Sequence, residues 1–158
     1  MSKQVLMNAM DAKRMLAMLY TDLNVSESNN AVENDPNAIY GTYIDDNDVP
    51  VSLVVVDRNY TAYLGAALTL VPPATANDMA ASGQFNDIVI ANVREIMNIL
   101  SRLYMEGSSP HLRFAEIRMS KAELKPAEQA VLDGVAARLD MSMEVPGYGA
   151  GLCSLVTL

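Results

Sequence analysis

A chain of 158 residues that is 51% hydrophobic and 19% charged has the length of one domain, enough apolar side chain to bury a core, and the wrong composition for wholesale disorder. Eleven Lys and Arg against nineteen Asp and Glu give a formal charge of −8, which disfavours nucleic acid, because phosphate binding draws on clustered cations, and favours a neutral or positively charged partner. One His and one Cys exclude an intramolecular disulfide and a soft-ligand zinc or iron–sulfur site, and no window approaches the roughly 18 apolar residues of a membrane span. A cytoplasmic protein with no membrane contact is expected.

Residues 1–23 carry Val5, Leu6, Ala9, Leu16, Leu19, Tyr20 and Leu23 at helical spacing, broken by Asn8, Asp11, Lys13 and Arg14, which predicts an amphipathic helix and not a signal peptide. Residues 24–37, rich in Asn and Ser with Pro36, read as a flexible surface loop. "AIYGTYI" and "VSLVVV" are strand-like runs bridged by "DDNDVP", an antiparallel hairpin. The carboxylates of "IDDND", residues 44–48, are those of a possible magnesium site, but a hairpin turn explains them more simply. The second run is apolar throughout and belongs in the middle of a sheet.

A helix follows through Tyr60, Leu64, Ala67, Leu68 and Val71, stopped by Pro72 and Pro73. "ATANDMAASGQ" reads as a linker of small residues, and the longest helix is placed from about Phe85 to about Met105, ending near Gly107. "HLRFAEIRM" fits a strand with one irregular step, and "KPAEQAVLDGVAARL" a helix opened by Pro126 and carried by Val131, Leu132, Val135 and Leu139. "MSMEV" and "GLCSLVTL" close the chain as strands joined by a glycine-bearing turn, with Cys153 as a buried structural thiol and the methionines as core filler. The fold class is therefore α+β, a single domain with a mixed or antiparallel sheet and helices packed on its faces.

In the long helix, at about 100° per residue, Val89, Val93, Ile96, Leu100 and Leu103 form one stripe, widened by Phe85, Ile90, Met97 and Tyr104. The opposite face collects Asp87, Ala91, Arg94, Glu95, Asn98, Ser101 and Arg102. Glu95 and Asn98, three apart, project together, and the small Ala91 one turn earlier lets another surface come close. His111 stands in a loop without a marked nucleophile beside it, so a catalytic triad is disfavoured. An amide can orient a water and a carboxylate can hold a partner's cation, so the pair suits an active site completed by a second protein.

The run "NVREIMNIL", on an exposed helix preceded by a hairpin, a short helix and "PP", resembles the CheC/CheX/FliY family of chemotaxis phosphatases, in particular the stand-alone CheX-like and CheC-like proteins. Glu95 and Asn98 match the family's Glu and Asn, while Ala91 stands where an acid or serine is expected and Lys121 where a Pro is expected. The resemblance implies binding of a phosphorylated, CheY-like response-regulator receiver domain in two-component signalling, and hydrolysis of its aspartyl phosphate. Asn98 would orient the attacking water, and Glu95 would pair with the receiver's lysine. Ala91, Arg94, Ser101 and Arg102 would line the partner contact. It implies no cofactor or metal of the chain's own, the magnesium being the receiver's, and a homodimer. The departures at Ala91 and Lys121 leave hydrolysis and binding as separate expectations. The alternative is a non-catalytic interaction or oligomerisation domain, for which the apolar "GLCSLVTL", read as an edge strand, invites pairing with another copy.

Overall fold

The Asp45 side chain closes the hairpin: Oδ1 accepts from the backbone N–H groups of Asn47 at 2.9 Å and Val49 at 3.0 Å, and Asp48 takes a left-handed φ of 61°. β2 (Ile39–Ile44) and β3 (Pro50–Val56) pair antiparallel on either side of it. The carboxylates of this run therefore serve as turn residues. The structure, a computed structural model, describes residues 6–104 and 110–158.

Four more strands extend the hairpin into a six-stranded, wholly antiparallel sheet of order β1-β5-β6-β3-β2-β4. They are β1 (Asn24–Glu27), β4 (Arg113–Arg118), β5 (Ala137–Val145) and β6 (Gly149–Thr157). The irregular step expected in "HLRFAEIRM" is a bulge: Tyr43 faces Phe114 and Thr42 faces Glu116, leaving Ala115 unpaired. β3 lies in the interior, as its unbroken apolar run requires. β6 lies there too, between β5 and β3, so "GLCSLVTL" is not the edge strand it was expected to be; the open edges belong to β1 and β4. Its residues alternate between two buried faces, which is why the strand is apolar on both.

One face of the sheet packs against α1 (Ala9–Leu16), α2 (Arg58–Leu68) and α4 (Asp87–Leu100), burying Ile39, Tyr43, Val54, Val56, Met141, Met143, Cys153 and Leu155. The other buries Tyr40, Leu53, Val55 and Val156 under α5 (Pro126–Asp133). On that second face Glu128 is 2% exposed, and its carboxylate takes Arg118 Nε at 3.1 Å, the Lys125 N–H at 2.7 Å and the Thr42 hydroxyl. Both carboxylate oxygens thus keep hydrogen-bond donors after burial strips them of water. Among the described residues no helix is long and apolar enough to cross a membrane.

Several boundaries differ from expectation. Residues 24–37 are not a plain loop: β1 pairs with β5, and a 3-10 turn at Val32–Asn34 buries Val32 at 3% exposure. The first helix is shorter, opened by a capping box between Asn8 and Asp11, with turns after Leu16; Val5 lies outside the described residues. "ATANDMAASGQ" is mostly helix, α3 (Pro73–Ser82), started by Pro73 and ended by Gly83 at φ 71°. α5 stops at Gly134, and Leu139 belongs to β5.

Candidate functional site

α4 begins where Asn86 Oδ1 accepts the Val89 N–H at 2.9 Å, with Asp87 in the first turn complementing the helix dipole. Its inner stripe, Val89, Val93, Ile96, Met97 and Leu100, is buried as its spacing predicts, and the chain tightens after Leu100 into a 3-10 turn, Ser101–Tyr104. The expected helix end at Met105 and Gly107 lies outside the described residues.

Three contacts fix the helix. Towards α2, Gly65 lets the two helices touch, since a Cβ there would lie 2.8 Å from Val89 Cγ1 and 3.0 Å from Val93 Cγ2. Asn92 Nδ2 bonds the Gly65 carbonyl at 2.8 Å and Thr69 Oγ1 at 2.9 Å. Towards the sheet, the phenol of Tyr43 donates to the Met97 carbonyl at 2.5 Å, and its ring packs 5.2 Å from that of Tyr104. Towards β4, Arg94 Nη1 bonds Glu116 Oε1 at 3.1 Å while the guanidinium lies 5.8 Å from the Phe114 ring centre. The Ile117 N–H, then Arg94, hold the Glu116 carboxyl below its usual range.

Glu95 and Asn98 are exposed and side by side on the outer face, with Ala91 exposed one turn before them. Neither polar side chain has a hydrogen bond or ion pair to another described residue. Ala91, Arg94, Glu95 and Asn98 border a shallow open depression whose other wall is Phe114 and Ala115 of β4. The face thus offers an acceptor carboxylate, a bifunctional amide and a small gap, beside a cation already committed to Glu116.

Arg102 is exposed beyond the end of α4 and does not border the depression. Ser101 departs from expectation: it is 6% exposed, and its hydroxyl donates to the Asn98 carbonyl at 2.7 Å. It therefore serves the end of the helix, adding a second donor to a carbonyl that also takes the Ser101 backbone N–H, and is withdrawn from any partner. Lys121 is exposed at the start of a short 3-10 turn after β4. His111 Nδ1 lies 3.2 Å from Asp46 Oδ1 at the hairpin end, with no bond to a Ser, Thr or Cys side chain among the described residues, and Cys153 is buried. Among the described residues no three His, Cys, Asp or Glu cluster as a metal site would require. The residues that sequence reasoning missed are Tyr43, Phe114 and Asn92, which place the helix and do no chemistry themselves; the alternation of "AIYGTYI" put Tyr43 on the face of Ile39, but nothing local said which helix would cover it.

No family model and no curated protein matches the sequence. Solved structures match its shape. The FliM middle domain from H. pylori is 8% identical with a TM-score of 0.54, over 94% of this chain and 84% of that one. The CheX–CheY–BeF3–Mg2+ complex from Borrelia burgdorferi matches at 10% identity and a TM-score of 0.54, over 92% and 91%. Thermotoga maritima FliY is 12% identical with a TM-score of 0.51, over 92% and 81%. At these identities the likeness is one of fold, and the chain has the α+β fold of the CheC/CheX/FliY proteins.

Proposed function

We propose that the chain binds the phosphorylated receiver domain of a CheY-like response regulator through the outer face of α4, in chemotaxis or related two-component signalling in the cytoplasm, and that it hydrolyses the aspartyl phosphate there. The observation that carries this reading is the pair Glu95 and Asn98, exposed together on a helix pinned from three sides, with side chains that spend no bond on the protein's own structure. The likeness to a CheX structure containing CheY, BeF3 and Mg2+ supports it.

In this reading Glu95 accepts from the receiver's lysine and Asn98 holds water in line with the aspartyl phosphate, so the chain adds positioning to a site whose magnesium and phosphoryl group the receiver brings. It needs no cofactor of its own. Phe114, packed edge-on to Tyr43 at 6.1 Å, gives the docking face a rigid wall. Homodimerisation belongs to the same reading, with the β1 and β4 edges as the strands left open for pairing.

A second reading is favoured by Ala91, which can neither accept nor donate where an acid or serine is expected, and by Lys121 at the proline position. It is a non-catalytic interaction domain that binds receivers without hydrolysis. The test is phosphate release from a panel of phosphorylated receivers, with Asn98→Ala and Glu95→Lys as controls. Faster release with the unaltered chain and a basal rate with either variant is expected. Binding without acceleration selects the second reading, and no binding to any receiver removes both.

A further inference from the structure

The turn that ends α2 goes against the residue that occupies it. The Leu70 N–H donates to the Ala67 carbonyl at 3.2 Å and the Val71 N–H to the Ala66 carbonyl at 2.9 Å, the paired bonds of a Schellman motif. Leu70 holds its left-handed position, at φ 58°. Glycine or asparagine ordinarily stands there, because a Cβ with a branched chain beyond it crowds the following carbonyl. Burial does not compensate, since Leu70 is 81% exposed. One residue thus combines a strained backbone with a solvated apolar side chain, and the closing of the turn does not call for that side chain.

Its place in the fold gives it a use. Thr69, the residue before it, takes a hydrogen bond from Asn92 at 2.9 Å, so this turn runs along α4 one turn before Glu95, on the flank opposite Phe114 and Ala115. The outer stripe of α4 is then bracketed by β4 on one side and by the Leu70 turn on the other, with Ile88, 58% exposed, at its start. The charges select the occupant. Asp87 and Glu95 are exposed on this stripe, Arg94 is engaged by Glu116, and Arg102 stands only at the far end. A second copy docked by two-fold symmetry would set acid against acid, whereas a partner that brings a lysine to Glu95 is complementary.

We propose that Leu70 is the apolar anchor of this docking face, seating against an apolar patch of the receiver domain whose phosphorylated site meets Glu95 and Asn98; this rests on the function proposed above. An exposed apolar side chain on a tight, fully bonded turn loses little conformational freedom on binding, which suits an anchor.

The test measures the affinity of the unaltered chain, Leu70→Asn, Leu70→Met and Glu95→Lys for CheY-like receivers loaded with beryllofluoride and Mg2+, together with the melting temperature and sedimentation of each free protein. Leu70→Asn relieves the turn, so it should melt no lower than the unaltered chain, yet bind about tenfold more weakly. Leu70→Met, which keeps the apolar bulk, should bind within about threefold of the unaltered chain. Unchanged affinity in Leu70→Asn, with binding lost in Glu95→Lys, overturns the anchor and leaves the docking reading standing. A change in self-association of Leu70→Asn with unchanged receiver affinity assigns the patch to a second copy and overturns it too. No receiver bound by the unaltered chain overturns both readings.

Discussion

The phenol of Tyr43 on β2 donates to the carbonyl of Met97 at 2.5 Å, so the residue before Asn98 is tied through the core to the sheet. Met97 lies in the last turn of α4, where carbonyls have lost their intrahelical donors, and Tyr43 supplies one from a wholly buried position. Tyr43→Phe should cost about 1–2 kcal/mol, read as a lower denaturant midpoint with an unchanged m-value. Because it loosens the segment under Asn98 and leaves the outer face intact, it should slow receiver dephosphorylation more than it weakens receiver binding, which stays within about twofold. Equal losses in the two would assign Tyr43 to the fold alone.

The side chains of Asn98 and Glu95 make no bond that the fold uses, so Asn98→Ala and Glu95→Lys should melt within about 2 °C of the unaltered protein, as surface changes do. Ala91→Ser tests the same face in the opposite direction. A hydroxyl placed one turn before Glu95 adds one hydrogen bond, about 1.4 kcal/mol if made only in the transition state, or roughly a tenfold faster phosphate release. A rate unchanged in Ala91→Ser, measured with a receiver that binds, would show that the missing side chain is not what limits hydrolysis.

Acid should weaken the fold through Arg138. Its guanidinium takes both Glu33 oxygens at 2.9 Å and reaches Asp140 at 2.8 Å, while Ser154 Oγ donates to Asp140 at 2.6 Å. The bond to Arg138 leads in holding Glu33 below its usual range. For Asp140, burial pushes upward but is outweighed by the bonds from Arg138 and Ser154, so it too is lowered. A carboxyl depressed in the folded state stabilises fully above its unfolded value, about 4, and that stability is lost as pH falls through the lower folded value. The melting temperature should therefore hold from neutrality down to about pH 5 and then fall, and Arg138→Gln should be less stable at neutrality with a shallower acid decline. Parallel acid limbs in the two proteins would remove this network as the cause.

Gly151 on β6 leaves no room under Tyr60 of α2. A Cβ there would lie 2.2 Å from Tyr60 Cα and 2.3 Å from its nitrogen, and backbone atoms cannot rotate away. Gly151→Ala should cost about 3 kcal/mol or more, whereas Gly65→Ala, whose nearest contacts are the side chains Val89 and Val93, should cost about 1–3 kcal/mol. Chemical denaturation of the two variants gives the comparison, and equal midpoints would contradict it.

The legible parts of this fold are those where one local rule acts alone. Asp45 and Asp48 mark their turn, the apolar stripe of α4 marks its buried side, and the broken alternation around Ala115 marks a bulge. α3 escaped because Ala74, Ala76, Ala80 and Ala81 give no apolar stripe, although alanine favours helix and Pro73 and Gly83 bracket the segment. α5 was extended too far because Val135 and Leu139 continue a helical spacing, while from Ala137 the alternation of Leu139, Met141, Met143 and Val145 is that of a strand, and Gly134 was the stop. β1 exists only through its partner β5, and the interior place of β6 depends on strand order, which no local pattern encodes. At the site, exposure of Glu95 and Asn98 followed from helical phase, whereas the burial of Ser101 required knowing that α4 tightens into a 3-10 turn there.

The interior place of β6 also divides the molecule in time. β2 and β3 form a hairpin and β4 adds to it before β5 and β6 are made, but β1 meets the sheet only through β5, with Asn24 opposite Glu144, and β5 meets it only through β6. During synthesis β1 has no partner until β5, the fifth of the six strands, has been made, and the pair joins the rest of the sheet only through β6. The helix that bears Glu95 and Asn98 stands in the half whose strands can pair early, and the seam that closes late lies on the far side of β3.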